Sequence, residues 1–348
     1  MVNIHDVATR AGVSAGTVSN VLNRPSYVSI ETRQRVLDAI DALGFRPRQS
    51  SRQYRPGRER TLGLAVADMG NPYFVDVALG AEAEAKELGV GVVIVHNGED
   101  TAREEQNLDL LVQQRVQGIM ITPVDERNPR LEQLIERGVP IVYVDRISGD
   151  RPCCWIATDD LAGGRLAGEH LAAAGHRRIG FVGNLSISPQ VRQRYQGLLD
   201  SVRDAGLDEG DVRLIPAASW KVANGREAMH LLLDLPPEER PTAIFCANDL
   251  LALGALQELV RHGVSVPEDV AIVGFDDLDW ASASTVPLSS VRQAREQLGR
   301  TAVRMILDEI EQGADHVHEH VSFPPELIVR ESSDYRRDGA TQTPAPQP

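Results

Sequence analysis

Polar clusters just beyond apolar runs of strand length carry the residue types a small polar ligand requires. Asn71-Pro72-Tyr73-Phe74 follows Leu62 to Val66, and Asp145-Arg146 follows Ile141 to Val144. Asn248-Asp249 follows Ala243 to Cys246, and Asp276-Asp277 follows Val270 to Phe275. Carboxylates and amides bond hydroxyl groups in bidentate pairs. Arginine offers a rigid donor fork, and an aromatic face covers the apolar side of a pyranose or furanose ring. The competing reading is structural, with Asn71 and Asp249 as helix caps, Asp276 as a turn residue and Arg146 in an ion pair across a cleft.

Other patterns point to chemistry that their context withdraws. Gly12-Val13-Ser14-Ala15-Gly16 matches the G-x-S-x-G of hydrolase nucleophiles, but that elbow follows a strand, whereas a helical pattern precedes Gly12. Gly163-Gly164-Arg165 opens a helix without the Lys-Ser/Thr of a phosphate loop. His316, His318 and His320 alternate and could face one way as metal ligands, against which stands a solvated edge strand. No nucleophile-base pair, metal site or cofactor motif is read, so an enzyme is not expected.

Ile4, Val7, Ala8 and Ala11 recur at helical spacing, and Gly12 stops that helix. Ser14 can cap a second helix with Val18, Val21 and Leu22 inside. Ser29 can cap a third with Val36, Leu37, Ile40 and Leu43 on one face, ending at Gly44. Three short helices around a Gly-containing turn make a helix-turn-helix. Its second helix would place Ala15, Gly16, Thr17 and Asn20 toward base edges in a major groove. Thr17 and Ser19 suit phosphate oxygens or a thymine methyl, and Asn20 suits adenine.

Charge agrees with this division. The 348-residue chain has a net charge of −14, yet residues 1 to 60 hold ten Arg against five acidic side chains, a local +5 that leaves −19 for the rest. A basic head on an acidic body suggests that the head meets phosphate. The polar, Arg-rich stretch from Arg48 to Arg58 reads as a linker. Adjacent Cys153 and Cys154 argue against a disulfide framework, and no apolar run has membrane-spanning length, so a cytoplasmic protein is expected.

From Leu62, strand-length apolar runs alternate with helical segments up to Phe275, which implies doubly wound parallel sheets. About a dozen such elements are too many for one sheet, so two lobes are expected.

Asp6-Val7-Ala8, Ala11-Gly12-Val13-Ser14, Thr17-Val18-Ser19-Asn20-Val21-Leu22-Asn23 and Val28-Ser29 resemble the headpiece signature of the lactose-repressor (LacI/GalR) family. The resemblance implies a helix-turn-helix domain over 1–47, a hinge over 48–60 and an effector-binding, dimerising body over 61–338. The body's lobes, periplasmic-binding-protein-like, would span about 61–159 with 291–322 and about 160–290 with 323–338. A disordered tail would follow over 339–348. It implies a homodimer on a pseudo-palindromic DNA operator, a repressor whose grip is set by a small molecule in the cleft, with no membrane partner. A sugar is the expected effector and a purine the alternative. The DNA-facing set becomes Ser14, Ala15, Gly16, Thr17, Ser19, Asn20 and Asn23, with hinge residues Arg52 and Tyr54, the latter where the family commonly has a leucine wedge. The effector set becomes Asn71, Tyr73, Phe74, Asp145, Arg146, Asn248 and Asp276, to which the resemblance adds Arg194 and Trp220.

Overall fold

The structure is a computed structural model describing residues 4–23, 28–43, 60–186 and 188–334, in two compact units that divide between Glu59 and Arg60. The hinge residues Arg52 and Tyr54, the helix stop at Gly44 and the tail Gly339 to Pro348 lie outside the described residues.

The first unit holds α1 (Ile4–Ala11), α2 (Ala15–Asn23) and α3 (Ile30–Leu43). Gly12 takes φ +67° between the first two, a left-handed conformation that a side chain would strain. Ser14 Oγ accepts from the Thr17 N–H at 3.1 Å, and Ser29 Oγ accepts from the Thr32 N–H at 3.4 Å, so both serines cap as read. Helices this short are marginal alone. They are held by a shared core of Val7, Ala8, Ala11, Val18, Val21, Val36, Ala39 and Ile40. Leu37 departs from the expectation: it is 40% exposed, because Ala39 rather than Leu37 shares the inward stripe with Val36 and Ile40.

The second unit opens with β1 (Thr61–Val66), α4 (Pro72–Glu87), β2 (Gly91–His96), α5 (Thr101–Gln114), β3 (Ile119–Ile121), α6 (Pro129–Glu136), β4 (Ile141–Val144) and β5 (Cys154–Thr158). It continues with α7 (Asp160–Ala173), β6 (Ile179–Gly183), α8 (Pro189–Asp204), β7 (Val212–Pro216), α9 (Val222–Leu233), β8 (Ala243–Cys246), α10 (Asp249–Arg261), β9 (Ala271–Asp276) and β10 (Ser289–Arg292). The last elements are α11 (Arg295–Gln312), β11 (His320–Phe323) and β12 (Glu326–Ile328).

Two six-stranded sheets result, ordered β11-β5-β4-β3-β1-β2 and β12-β10-β9-β8-β6-β7. The pairings are parallel except that β12 runs antiparallel to β10. Each sheet therefore repeats one doubly wound plan: its second strand lies outside its first, and its third lies on the other side. The chain passes between the sheets three times, after Thr158, after Arg292 and after Phe323. In such sheets the crevice opens at the carboxyl ends of the strands where the order reverses, here between β1 and β3 and between β6 and β8.

Cores follow from strands buried on both faces. In the first lobe β1 sends Leu62, Leu64 and Val66 to one cluster with α4 and α11, and Ala65 to another with α5 and α6. The second lobe packs around Phe181, Phe245 and Phe275. Helix α7 lies on α8 so closely that a Cβ on Gly164 would sit 2.1 Å from the Arg194 carbonyl oxygen, and one on Gly197 would sit 2.1 Å from that of Leu161. This packing accounts for Gly164, while Gly163 is required by the core, where an added Cβ would sit 2.6 Å from the Phe275 ring. Among the described residues no helix is long and apolar enough to cross a membrane.

Candidate functional site

One cavity of about 290 Å³ opens between the two sheets, near the small end of ligand pockets at roughly 300–1,000 Å³. Asn71, Tyr73, Phe74, Asp145, Arg146, Arg194, Trp220, Asn248 and Asp276 all line it, so nine residues from six separate segments converge.

The topology explains the convergence, since the groups sit at or just past the carboxyl ends of strands, with Arg194 reaching in from the second turn of α8. Asn71 caps α4, its Oδ1 accepting from the Tyr73 N–H at 3.1 Å. Asn248 caps α10 in the same way, accepting from the Leu251 N–H at 2.9 Å, while its Nδ2 donates to the Trp220 carbonyl at 3.2 Å. Capping and lining are thus not alternatives for these two asparagines. Asp145 and Asp276 adopt positive φ, +59° and +115°, which turns each chain sharply at the strand end. Trp220 is only partly buried and packs on the second-lobe core with one side.

Hydrogen bonds fix the walls. The Tyr73 hydroxyl donates to Asp145 Oδ1 at 2.8 Å, and burial, reinforced by the Asp145 charge, pushes its pKa well up, so it stays a neutral donor. Gln190 Nε2 donates to the Asp145 carbonyl, a link from α8 to the loop after β4 and so from one lobe to the other. Arg194 Nε donates to Asp160 Oδ1 at 2.7 Å, its NH1 donates to the Ala247 carbonyl at 2.6 Å, and its guanidinium lies 3.6 Å from the centre of the Phe275 ring. Both ions are buried. Arg194 therefore pairs within the second lobe, which displaces the inter-lobe ion pair weighed from the sequence; Arg146 lies beside Asp145, NH1 to Oδ2 at 3.4 Å.

Asp276 is the least satisfied member. Its Oδ1 accepts from Gln293 Nε2 at 2.7 Å, but its buried Oδ2 has no hydrogen-bond partner. Burial raises its pKa to about 7, against the opposing pull of Arg194 and Gln293. A buried acceptor left open in a polar cavity marks where a ligand donor can enter.

Two neighbouring carboxylates turn out to do other work. Asp249 is the first residue of α10 rather than its cap, and it accepts from Ser290 Oγ at 2.6 Å and the Leu278 N–H at 2.8 Å. Asp277 pairs with Arg292 and Arg330, each at 2.7 Å. The sequence reading passed over Asp68, Glu99, Ser188, Gln190 and Gln293, which also line the cavity. Ser188-Pro189 was the legible signal for two of them, since Ser188 caps α8 and Pro189 occupies its first turn.

In the first unit, Ser14 and Gly16 are exposed while Ala15 and Thr17 are half-buried at the start of α2; Ser19, Asn20 and Asn23 lie further along the same helix. Ser14 and Thr17 share a hydrogen bond of 3.0 Å between their hydroxyls.

Two like lobes flanking a polar cavity, in a chain that begins with a helix-turn-helix unit, define a DNA-binding regulator that carries its own ligand-sensing domain. Comparison with known proteins agrees. Residues 3–48 match the family of bacterial regulatory proteins named for lacI, and residues 169–333 match the periplasmic binding protein-like domain. The chain is 32% identical to the HTH-type transcriptional repressor PurR of Mannheimia succiniciproducens over 95% of its own length and 98% of that protein. Among solved structures it resembles a CelR–cellobiose complex at 32% identity (95% of this chain, 100% of that one, TM-score 0.70). It also resembles the lac repressor dimer bound to operator and the anti-inducer ONPF at 28% identity (95% and 99%, TM-score 0.70). An Enterococcus faecium LacI family regulator with bound ribose aligns at 26% identity (78% and 98%, TM-score 0.72). The chain belongs to the lacI family of bacterial regulatory proteins and is a ligand-controlled, DNA-binding repressor.

Proposed function

We propose that a sugar bound in the cavity between the lobes controls how tightly a homodimer of this chain holds a pseudo-palindromic operator. The observation that carries the reading is the open Asp276 oxygen in a cavity also lined by Arg146, Asn248, Tyr73, Phe74 and Trp220. Acceptors, donors and aromatic side chains all line it, the mixture that suits a ring with hydroxyls at its edge and C–H bonds on its faces. Ribose and cellobiose in related regulators support the same class of ligand.

At the DNA end, α2 and its cap supply Ser14, Ala15, Gly16, Thr17, Ser19, Asn20 and Asn23 to a major groove, and Arg52 and Tyr54 reach the adjacent minor groove. Two identical heads call for two related half-sites, and the lac repressor dimer on its operator supports that assembly. The Ser14–Thr17 bond orients both hydroxyls at the N-terminus of α2, where backbone N–H groups favour a phosphate. A ligand that touches both lobes controls DNA affinity only as far as it binds the DNA-competent and DNA-incompetent states differently. Such a protein works in the cytoplasm, beside the DNA it regulates, and the cavity binds without catalysing.

Thermal denaturation against pentoses, hexoses, disaccharides and purine bases checks the ligand class. A sugar at 100 times its Kd is expected to stabilise by about 2.7 kcal/mol, several degrees in Tm. Stabilisation by a purine base and by none of the sugars would replace the sugar reading with the purine one.

A further inference from the structure

We propose that Cys154, Glu309, His316 and His318 form a binding site for a divalent transition-metal ion of the zinc type, separate from the ligand cavity. One donor atom from each of the four lies within 4.8 Å of all the others. The Cys154 sulfur is 3.1 Å from His316 Nε2 and 3.8 Å from His318 Nδ1. A tetrahedral ion with metal–sulfur and metal–nitrogen bonds of about 2.3 and 2.0 Å holds such donors about 3.5 Å apart. The two distances bracket that edge, so small side-chain movements close the shell.

The donor chemistry selects the ion. One thiolate, two imidazoles and one carboxylate form a borderline-soft, four-coordinate set, whereas calcium and magnesium take shells of oxygen. The elements come from distant parts of the chain: Cys154 begins β5, Glu309 lies on the last turn of α11, and the two histidines sit on the connection that leads into β11. A metal there would tie that connection to α11 and to the sheet, close to the final passage between lobes.

Two buried atoms in the cluster lack hydrogen bonds, Glu309 Oε2 and His316 Nδ1. A metal-free network of cysteine and histidine leaves the carboxylate oxygen without a partner, while coordination satisfies it. His316 Nδ1 lies 3.4 Å from Asp308 Oδ2, where a carboxylate can orient the imidazole whose Nε2 faces the sulfur. The Glu319 N–H donates to the Cys154 sulfur at 3.3 Å. On coordination the Cys154 thiol gives its proton to solvent.

The solvated edge strand considered for these histidines describes His320 alone. His320 is exposed and stacks on Trp155, ring centres 5.1 Å apart at 18°, whereas the His316 side chain is only 3% exposed. Both His316 and His318 precede β11, so the alternation of strand geometry never applied to them.

The test is a cobalt(II) titration of the untagged, full-length chain, stripped with chelator and kept reduced with a phosphine. The expected result is one equivalent of cobalt bound with a thiolate-to-cobalt charge-transfer band and the intense visible bands of tetrahedral cobalt, both removed by added zinc. Cys154→Ser should abolish the charge-transfer band, and Cys153→Ser and Cys246→Ser should retain it. His318→Gln, at a partly exposed position that tolerates exchange, should weaken cobalt binding by at least about tenfold with the circular dichroism unchanged. Absence of a charge-transfer band in the intact chain, its survival in Cys154→Ser, or unaltered affinity in His318→Gln would each overturn the proposal.

Discussion

Asp276→Ala is expected to weaken effector binding by about 100-fold while leaving the affinity of the ligand-free protein for DNA unchanged. The magnitude follows from the geometry. A buried carboxylate with one open oxygen contributes hydrogen bonds of about 1.5–3 kcal/mol when charged, and each 1.4 kcal/mol is a factor of ten. Asp276→Asn keeps the shape and loses the charge, so an intermediate loss of about tenfold is expected. Calorimetry with the ligand found by thermal denaturation measures both; equal affinity in wild type and Asp276→Ala would remove Asp276 from the site.

The same residue sets a pH dependence whose direction can be worked out. Its folded pKa, about 7, lies above the ordinary value of about 3.9, so the native state holds the proton more tightly than the unfolded chain. Stability attributable to Asp276 is therefore present below pH 4 and is lost as pH rises toward 7. Asp276→Asn should remove this loss, making the variant at least as stable as wild type at pH 8. A ligand that donates into the carboxylate reverses the sense for binding, with affinity rising between pH 5.5 and 8.

Arg194→Ala should destabilise the body by about 3–5 kcal/mol, on the order of 10 °C in Tm. Arg194 and Asp160 have side chains only 5% and 2% exposed, and removing the cation leaves the carboxylate buried without its counter-charge. Burial already raises the Asp160 pKa to about 6 although Arg194 pulls it down. In the variant it must rise further, so the defect should be larger at pH 8 than at pH 5, where Asp160 accepts a proton. Arg194→Met combined with Asp160→Asn should recover most of the stability, because no charge then remains to be desolvated. A single variant with wild-type Tm at pH 8 would mean that the pair contributes nothing.

Much of this site was legible because doubly wound sheets put function at strand ends. Once Ile141–Val144 or the apolar run Val270 to Phe275 is recognised as a strand, the polar residues after it are candidates without further information. What stayed hidden depended on contacts between distant segments. Asp249 and Asp277 are aspartates beside strand ends, as Asp276 is, yet Ser290 and Arg330 engage them away from the cavity. Gln293 was out of reach because β10 reads Ser-Ser-Val-Arg, with one apolar residue and no alternation. Strand β7 is an edge strand whose Arg213 and Leu214 are exposed, so its pattern is diluted. Helix α11 is a different case: Leu298, Ala302, Val303 and Ile306 hold helical spacing and are buried, and the signal was there to use. His316 could not be separated from His320 by spacing, since the difference lies in a turn ahead of β11.

The cavity of the body is proposed to control the grip of the head. Fluorescence anisotropy of the intact chain on a labelled duplex from upstream of its own coding sequence, with excess non-specific DNA, tests it most directly. The expected result is a Kd of about 10⁻⁸ M or below at physiological salt that weakens steeply as salt is raised and changes at least about tenfold at saturating ligand. A Kd that stays the same with the cavity filled, or no preference for that duplex over the competitor, would contradict it.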